Sequence, residues 1–169
     1  MKVKMLLFPI MLLLIACQKE SVITLADGTE DLQRTYNAVD KALWIHFQSF
    51  ENEGAKRGLN IDLASAEISG VIEKINEDQV VGQCNYYSHR PNHVTIDQTF
   101  WNQASAIYRE YVVFHELGHC YLGRPHNETA LSNGVCTSIM NSGTGNCVSR
   151  YSVSSRSNYL DELFDRSVR

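Results

Sequence analysis

The sequence has little of what marks extended, disordered or nucleic-acid-binding chains. Only 3 prolines and 10 glycines occur in 169 residues, which excludes a collagen-like or linker-like chain. Lys and Arg number 15 against 19 Asp and Glu, a formal net charge of −4, so the basic excess typical of nucleic-acid-binding proteins is missing. Hydrophobic residues make up 44% of the chain, which is a globular composition. We therefore expect one folded domain that does not bind nucleic acid.

The sequence also lacks a hydrophobic run long enough to cross a bilayer. Its one long apolar segment, over 5–16, follows Lys2 and Lys4 and is too short for an ordinary transmembrane helix. This order of charge and apolar residues is typical of a signal peptide. The segment ends in Leu14-Ile15-Ala16-Cys17, which resembles the lipobox of bacterial lipoproteins. The resemblance implies cleavage before Cys17 and acylation of its thiol, which would anchor the protein to a lipid bilayer.

The lipobox resemblance divides the chain into three parts. We expect a signal peptide over 1–16, a lipidated tether over 17–28 and a folded domain over 29–169. Gln18, directly after the acylated cysteine, favours the outer membrane of the bacterial cell envelope. The alternative is an ordinary signal peptide with a chance cysteine, and in both cases the domain is exported.

Cysteine is sparse after Cys17, and the four later cysteines have no CxxC spacing, which argues against a cysteine zinc site. An even number of cysteines in an exported chain suggests two disulfides. Cys136 and Cys147 bracket a loop rich in Gly, Ser and Asn, which favours that pair and leaves Cys84 with Cys120. The alternative is that these thiols are free or only partly paired.

Hydrophobic periodicity predicts an α+β domain. Apolar residues recur at three and four positions in two segments, which predicts helices over 30–55 and 102–122. Shorter segments predict a small, mainly antiparallel sheet with strands over 66–75, 79–87 and 93–97. Residues 123–157 are rich in Gly, Ser, Asn and Thr and are expected to form a loop before a short final helix over 159–166. His46, in the first helix, is interpreted as a packing or surface residue.

One motif carries a specific chemistry: His115-Glu116-Leu117-Gly118-His119, in the second predicted helix. Residues four apart lie one turn apart on the same helix face, so His115 and His119 can both bind one zinc ion. Glu116 is next to the first of them, and its carboxylate can reach a water on the metal. Gly118 is unfavourable in a helix interior by about 1 kcal/mol. It suggests that another part of the backbone approaches closely.

The stretch from His115 to His126, together with Ser138-Ile139-Met140, resembles the metzincin clan of metallopeptidases. The resemblance covers about residues 92–142. It implies a minimal zincin-like catalytic domain with one catalytic Zn²⁺ held by His115, His119 and His126. It also implies that the methionine forms a structural Met-turn beneath the metal.

The same resemblance implies an activity. Glu116 would act as the general base in zinc-dependent hydrolysis of peptide bonds, so that the partner is a protein or peptide substrate. The strand over 93–97 would be the edge of the cleft along which an extended substrate adds as a β-strand. Asp97, at the end of that strand, could equally cap the segment that follows. We expect the peptidase to be a monomer.

The sequence departs from the clan in two places. Gly123 and His126 lie four and seven residues after His119, one residue further than in the usual pattern. The extra residue would shift the exit from the helix by about 1.5 Å and about 100°. Many clan members also have a tyrosine two residues after the methionine of the Met-turn, where this chain has Ser142. A tyrosine that assists the oxyanion must then come from elsewhere, and Tyr151 is one candidate.

Other interpretations of the motif remain open. A zincin could take its third ligand from the final helix, where Asp161 or Glu162 would be available. A lipoprotein could keep the fold only to bind protein or glycan, although binding alone does not need Glu116. A structural zinc site is disfavoured because such sites usually have four ligands with cysteine prominent. His89 and His93 are interpreted as solvated turn residues rather than a second metal pair.

Overall fold

A computed structural model describes residues 34–89, 91–143 and 148–168, and these residues form an α+β fold. The helices are α1 Lys41–Lys56, α2 Gln98–Gln103, α3 Ala106–Cys120 and α4 Arg156–Leu163. The strands are β1 Ser69–Glu73, β2 Gly82–Asn85 and β3 His93–Asp97. The α+β class predicted from periodicity is thus confirmed. Within the described ranges, no helix combines the length and the apolar character needed to cross a bilayer. The predicted signal peptide, the tether and Cys17 lie outside the described residues.

The first helix is shorter than predicted because its N-terminal part is not helical. Helix α1 begins at Lys41 rather than near residue 30. Ala38 has a φ of +54°, which a right-handed helix does not contain, and Val39 pairs with Gly70 in an isolated β-bridge. Tyr36 and Val39 are nevertheless buried. Their spacing matched a helix, although they reach the core from a non-helical segment that contains a turn.

The sheet contains one parallel and one antiparallel pairing. The prediction of a mainly antiparallel sheet is therefore wrong for one of the two pairings. The strand order is β1-β3-β2, with β3 antiparallel to β2 but parallel to β1. Residues 76–78, the polar turn between the strands predicted over 66–75 and 79–87, therefore do not close a hairpin. Instead, the chain after β1 crosses to the far side of β3, where the backbone N–H of Asp97 donates to Val81 at 3.0 Å.

The predicted helix over 102–122 is interrupted. Helix α2 ends at Gln103, and both Ala104 and Ser105 have extended backbone angles before α3 begins. Asp97 caps α2, since its side chain accepts a hydrogen bond from the backbone N–H of Phe100 at 2.8 Å. The alternative role of Asp97 as a cap is thus confirmed.

Helix α3 lies at the centre of the fold, packed on the sheet and on α1. Its Phe114 contacts Phe50 of α1 edge-to-face, with ring centroids 5.1 Å apart. Arg156, at the start of α4, donates to both carboxylate oxygens of Glu110 in α3 at 2.7 and 2.9 Å. It also donates to Glu53 of α1 at 3.1 Å, so one buried ion-pair network joins the three helices.

A disulfide joins the sheet to the end of α3. Cys84 of β2 is bonded to Cys120, as predicted, with the two Cα atoms 5.5 Å apart. Cys136 is also disulfide-bonded. The second predicted pair involves Cys147, which lies outside the described residues. The final helix spans 156–163 rather than 159–166, and its Leu160 and Leu163 are fully buried against the core.

Candidate metal centre

Three histidines converge on one point. His115 and His119 project from α3, and His126 reaches the same point from the loop that follows. One ring nitrogen of each lies within 4.8 Å of the others, and in the part of the chain that the structure describes this is the one such group of potential ligands. The structure therefore brings together the three residues that the sequence predicted as metal ligands.

The chain turns back directly after the last turn of α3, between His119 and His126. The backbone N–H of Leu122 bonds to the carbonyl of Leu117, five residues back, at 3.3 Å. The N–H of Arg124 bonds to the carbonyl of Gly118, six residues back, at 2.9 Å. Gly123 adopts a φ of +67°, which favours glycine and turns the chain back towards the helix.

Backbone carbonyls orient two of the imidazole rings. Nδ1 of His115 lies 2.8 Å from the carbonyl oxygen of Ile139, and Nδ1 of His119 lies 2.6 Å from that of Arg124. Each Nδ1–H therefore donates to a carbonyl, which leaves the lone pair of each ring on Nε2. Metal-binding histidines are commonly held in this way.

The two free nitrogens have the separation that a zinc ion requires. Nε2 of His115 lies 3.1 Å from Nε2 of His119. Two ligands at about 2.0–2.1 Å in tetrahedral geometry would lie about 3.3 Å apart. Two lone pairs this close repel each other unless a cation lies between them. Burial lowers the pKa of His115 to about 4 and also lowers the pKa of His119, so both rings are neutral at pH 7, as ligands must be.

Met140 lies directly beneath the turn of α3 that carries the histidines. It is fully buried, and a Cβ atom on Gly118 would lie 2.5 Å from its sulfur and 3.2 Å from Leu163. The sequence suggested that another part of the backbone approaches Gly118. The structure shows instead that the thioether side chain of Met140 lies there. The backbone carbonyl of Met140 also accepts a hydrogen bond from the N–H of Asn127 at 2.8 Å, next to His126.

Glu116 is buried between α3 and the edge strand β2. A Cβ atom on Gly82 of β2 would lie 2.7 Å from a carboxylate oxygen of Glu116 and 2.9 Å from Val112. Burial raises the pKa of Glu116 to about 8. A cation held by the neighbouring histidines would act in the opposite direction. Gly82 was not predicted as a residue of the site, although a glycine inside a strand pattern signals a close approach.

Two clefts open beside the histidines. One, of about 220 Å³, is lined by Val80, Val81 and Tyr111 in addition to His115, Glu116 and His126. The other, of about 370 Å³, runs between β2 and the three histidines and is also lined by Tyr86. The prediction that the strand over 93–97 forms the edge of the cleft is wrong, because β3 is paired on both sides and β2 takes that position.

The carboxylates considered as alternative third ligands have other partners. Asp161 binds Arg57 at 2.8 Å on the surface. Glu162 accepts hydrogen bonds from Arg124, Asn127 and Ser138. Neither carboxylate belongs to the group of potential ligands around His115.

The remaining candidate residues lie outside the site. His46 is buried and packs edge-to-face on Trp101, with ring centroids 5.5 Å apart. His93 bonds to the hydroxyl of Ser69 at 2.7 Å, and His89 is exposed. Tyr151 is buried and donates its hydroxyl to Glu110 at 2.5 Å, so it is not available to a substrate.

No protein-family model, curated protein or solved structure matches this chain. Its function is therefore inferred from the side chains of the site.

Proposed function

We propose that this chain is a zinc-dependent endopeptidase with a metzincin-like catalytic domain, exported and anchored by lipid on Cys17 at the bacterial cell envelope. The observation that carries the proposal is the convergence of His115, His119 and His126 beside the buried carboxylate of Glu116 in an open cleft. The anchor is supported by the sequence around Cys17.

The three histidines would hold the metal through ring nitrogens. Bound zinc would lower the pKa of a water towards about 7 and would polarise a carbonyl group. Glu116 takes the proton from the attacking water as its oxygen bonds to the carbonyl carbon. It then delivers that proton to the amine nitrogen as the C–N bond breaks. The carbonyls of Ile139 and Arg124 keep the imidazoles in the required tautomer throughout.

An extended peptide fits the cleft beside β2. This strand pairs with β3 on one side and borders the cleft on the other, so its backbone can pair with a substrate strand. Gly82 has no side chain there, which leaves room for the carboxylate of Glu116 next to the strand. Tyr86, at the end of β2, lies in the same cleft and takes the place of Tyr151 as the tyrosine near a substrate.

The test measures zinc content and peptide hydrolysis on the full chain in detergent, for wild type, His126→Ala, Glu116→Gln and the control His89→Ala. We expect about one zinc per chain in the wild type and in Glu116→Gln, and much less in His126→Ala. Hydrolysis should fall by about 10²–10⁴-fold in Glu116→Gln and stay unchanged in the control.

Two results would contradict the proposal. If the wild-type protein binds no zinc when zinc is supplied in excess, the proposed metal centre does not exist. A Glu116→Gln protein with full biological activity would favour a binding lipoprotein, since binding does not need a general base.

A further inference from the structure

The carboxylate of Glu162, in α4, connects the segments that surround the three histidines. Its Oε1 accepts hydrogen bonds from the guanidinium of Arg124 at 2.5 Å and from the side-chain amide of Asn127 at 3.1 Å. Its Oε2 accepts the hydroxyl proton of Ser138 at 2.6 Å. Three residues far away in sequence therefore meet on one side chain.

The first connection leads to His119. Arg124 is only 2% exposed, and besides Glu162 Oε1 it donates to the backbone carbonyls of Glu162 and Leu163 at 2.9 and 2.8 Å. These bonds fix Arg124 on the end of α4. The backbone carbonyl of Arg124 is the acceptor for Nδ1–H of His119. The position of α4 thus determines where that acceptor lies.

The second connection leads to His115 and Met140. The hydroxyl of Ser138 donates to Glu162 and accepts the backbone N–H of Met140 at 2.9 Å. The residue between them, Ile139, provides the carbonyl that accepts Nδ1–H of His115. Both ends of this short turn are therefore held while its central carbonyl faces the imidazole.

The third connection leads to His126. Its neighbour Asn127 donates its side-chain amide to Glu162 and its backbone N–H to the carbonyl of Met140. His126 itself is exposed, so little packing restrains it. The anchored neighbour limits where its ring can lie.

We propose that Glu162 is a positioning residue of the metal centre, one carboxylate that holds the backbone acceptors of His115 and His119 and the neighbour of His126 in register. This inference rests on the proposed metal-binding function. It assigns to Glu162 a role through other residues and not that of a ligand, because both of its oxygens are already occupied by donors. Removing a group that bonds directly to a metal ligand typically changes metal affinity by about 10–100-fold, and Glu162 holds two such groups, the carbonyls of Ile139 and Arg124, in place.

The test compares Glu162→Gln with the matched control Asp161→Asn, the adjacent residue whose carboxylate binds Arg57 on the surface. Zinc affinity is measured on the full chain by competition with a chelator. The visible spectrum of the cobalt-loaded protein reports the ligand geometry, and thermal unfolding of the metal-free protein reports folding. We expect Glu162→Gln to bind zinc about 10–100-fold more weakly with an altered cobalt spectrum, and Asp161→Asn to remain within about twofold of wild type.

Ser138→Ala is a second variant that keeps the proposal testable if Glu162→Gln does not fold. It removes the hydrogen bond from Ser138 to Glu162 and leaves the pair of Arg124 and Glu162 intact. We expect a several-fold loss of zinc affinity in this variant. A folded Glu162→Gln with wild-type affinity and cobalt spectrum would overturn the positioning role, as would wild-type affinity in Ser138→Ala if Glu162→Gln is unfolded. Failure of the wild type to bind zinc would instead overturn the proposed function itself.

Discussion

Replacing Gly118 by alanine tests how closely Met140 supports the turn of α3 that carries His115 and His119. In an open helix interior this change should raise the free energy of unfolding by about 1 kcal/mol, because alanine has the higher helix propensity. Here the new Cβ would lie 2.5 Å from the Met140 sulfur, closer than the two atoms can approach. Met140 is fully buried and must move. Overpacking of this kind costs about 1–3 kcal/mol.

The balance of these two effects predicts that Gly118→Ala lowers the free energy of unfolding by about 0–2 kcal/mol instead of raising it. Because Met140 follows the carbonyl that holds His115, we also expect weaker zinc binding. Urea unfolding of the metal-free protein and chelator competition measure the two effects.

A double variant separates the contact from other causes. Met140→Ala alone should cost about 2–5 kcal/mol because it leaves a cavity. In the Gly118→Ala/Met140→Ala protein the new methyl group enters that cavity, so the combined cost should be smaller than the sum. If Gly118→Ala is about 1 kcal/mol more stable than wild type and adds to Met140→Ala without coupling, the close contact is refuted.

Three further predictions concern other parts of the chain. Burial lowers the pKa of His46 from 6.5 to about 4. On acidification the imidazole is therefore protonated at a higher pH in the unfolded state than in the folded state. The free energy of unfolding should therefore fall by up to about 3 kcal/mol as the pH drops from about 6.5 to about 4. Urea titrations across this pH range should show this fall in the free energy of unfolding of the wild type and a smaller fall for His46→Leu. Equal falls in the two proteins would contradict the contribution of His46. Gly82→Ala should displace Glu116 and reduce kcat/KM at least about tenfold with zinc content unchanged, and unaltered hydrolysis would exclude this contact. Cys17→Ser should abolish incorporation of radiolabelled fatty acid, and persistent labelling would exclude acylation at this residue.

The parts of the fold that could be predicted from the sequence are those with a local signal. The strand over 93–97 was predicted with its observed bounds, because its alternation is unbroken between turn residues. The motif from His115 to His119 depends on spacing along one helix, which is local as well. The disulfide between Cys84 and Cys120 followed from pairing the other two cysteines across one loop.

The parts that could not be predicted depend on contacts between distant residues. The parallel pairing of β1 with β3 requires β2 to lie on the far side, which no feature of the turn at 76–78 indicates. The start of α1 is set by the bridge of Val39 with Gly70, 31 positions away along the chain. Glu162 bonds to Arg124 and Ser138 over 38 and 24 positions, so its network has no local pattern.

The two glycines near the site have complementary roles on opposite sides of α3. Gly82 lets the edge strand lie against Glu116, and Gly118 lets the Met140 thioether lie under the histidine-bearing turn. Each approach is closer than any side chain with a Cβ atom would permit. Helix α3 is thereby held between β2 and the turn at Met140, which leaves His115 and His119 little freedom to move along or away from the cleft. Glycine at these two positions therefore lets α3 present His115 and His119 in a fixed geometry.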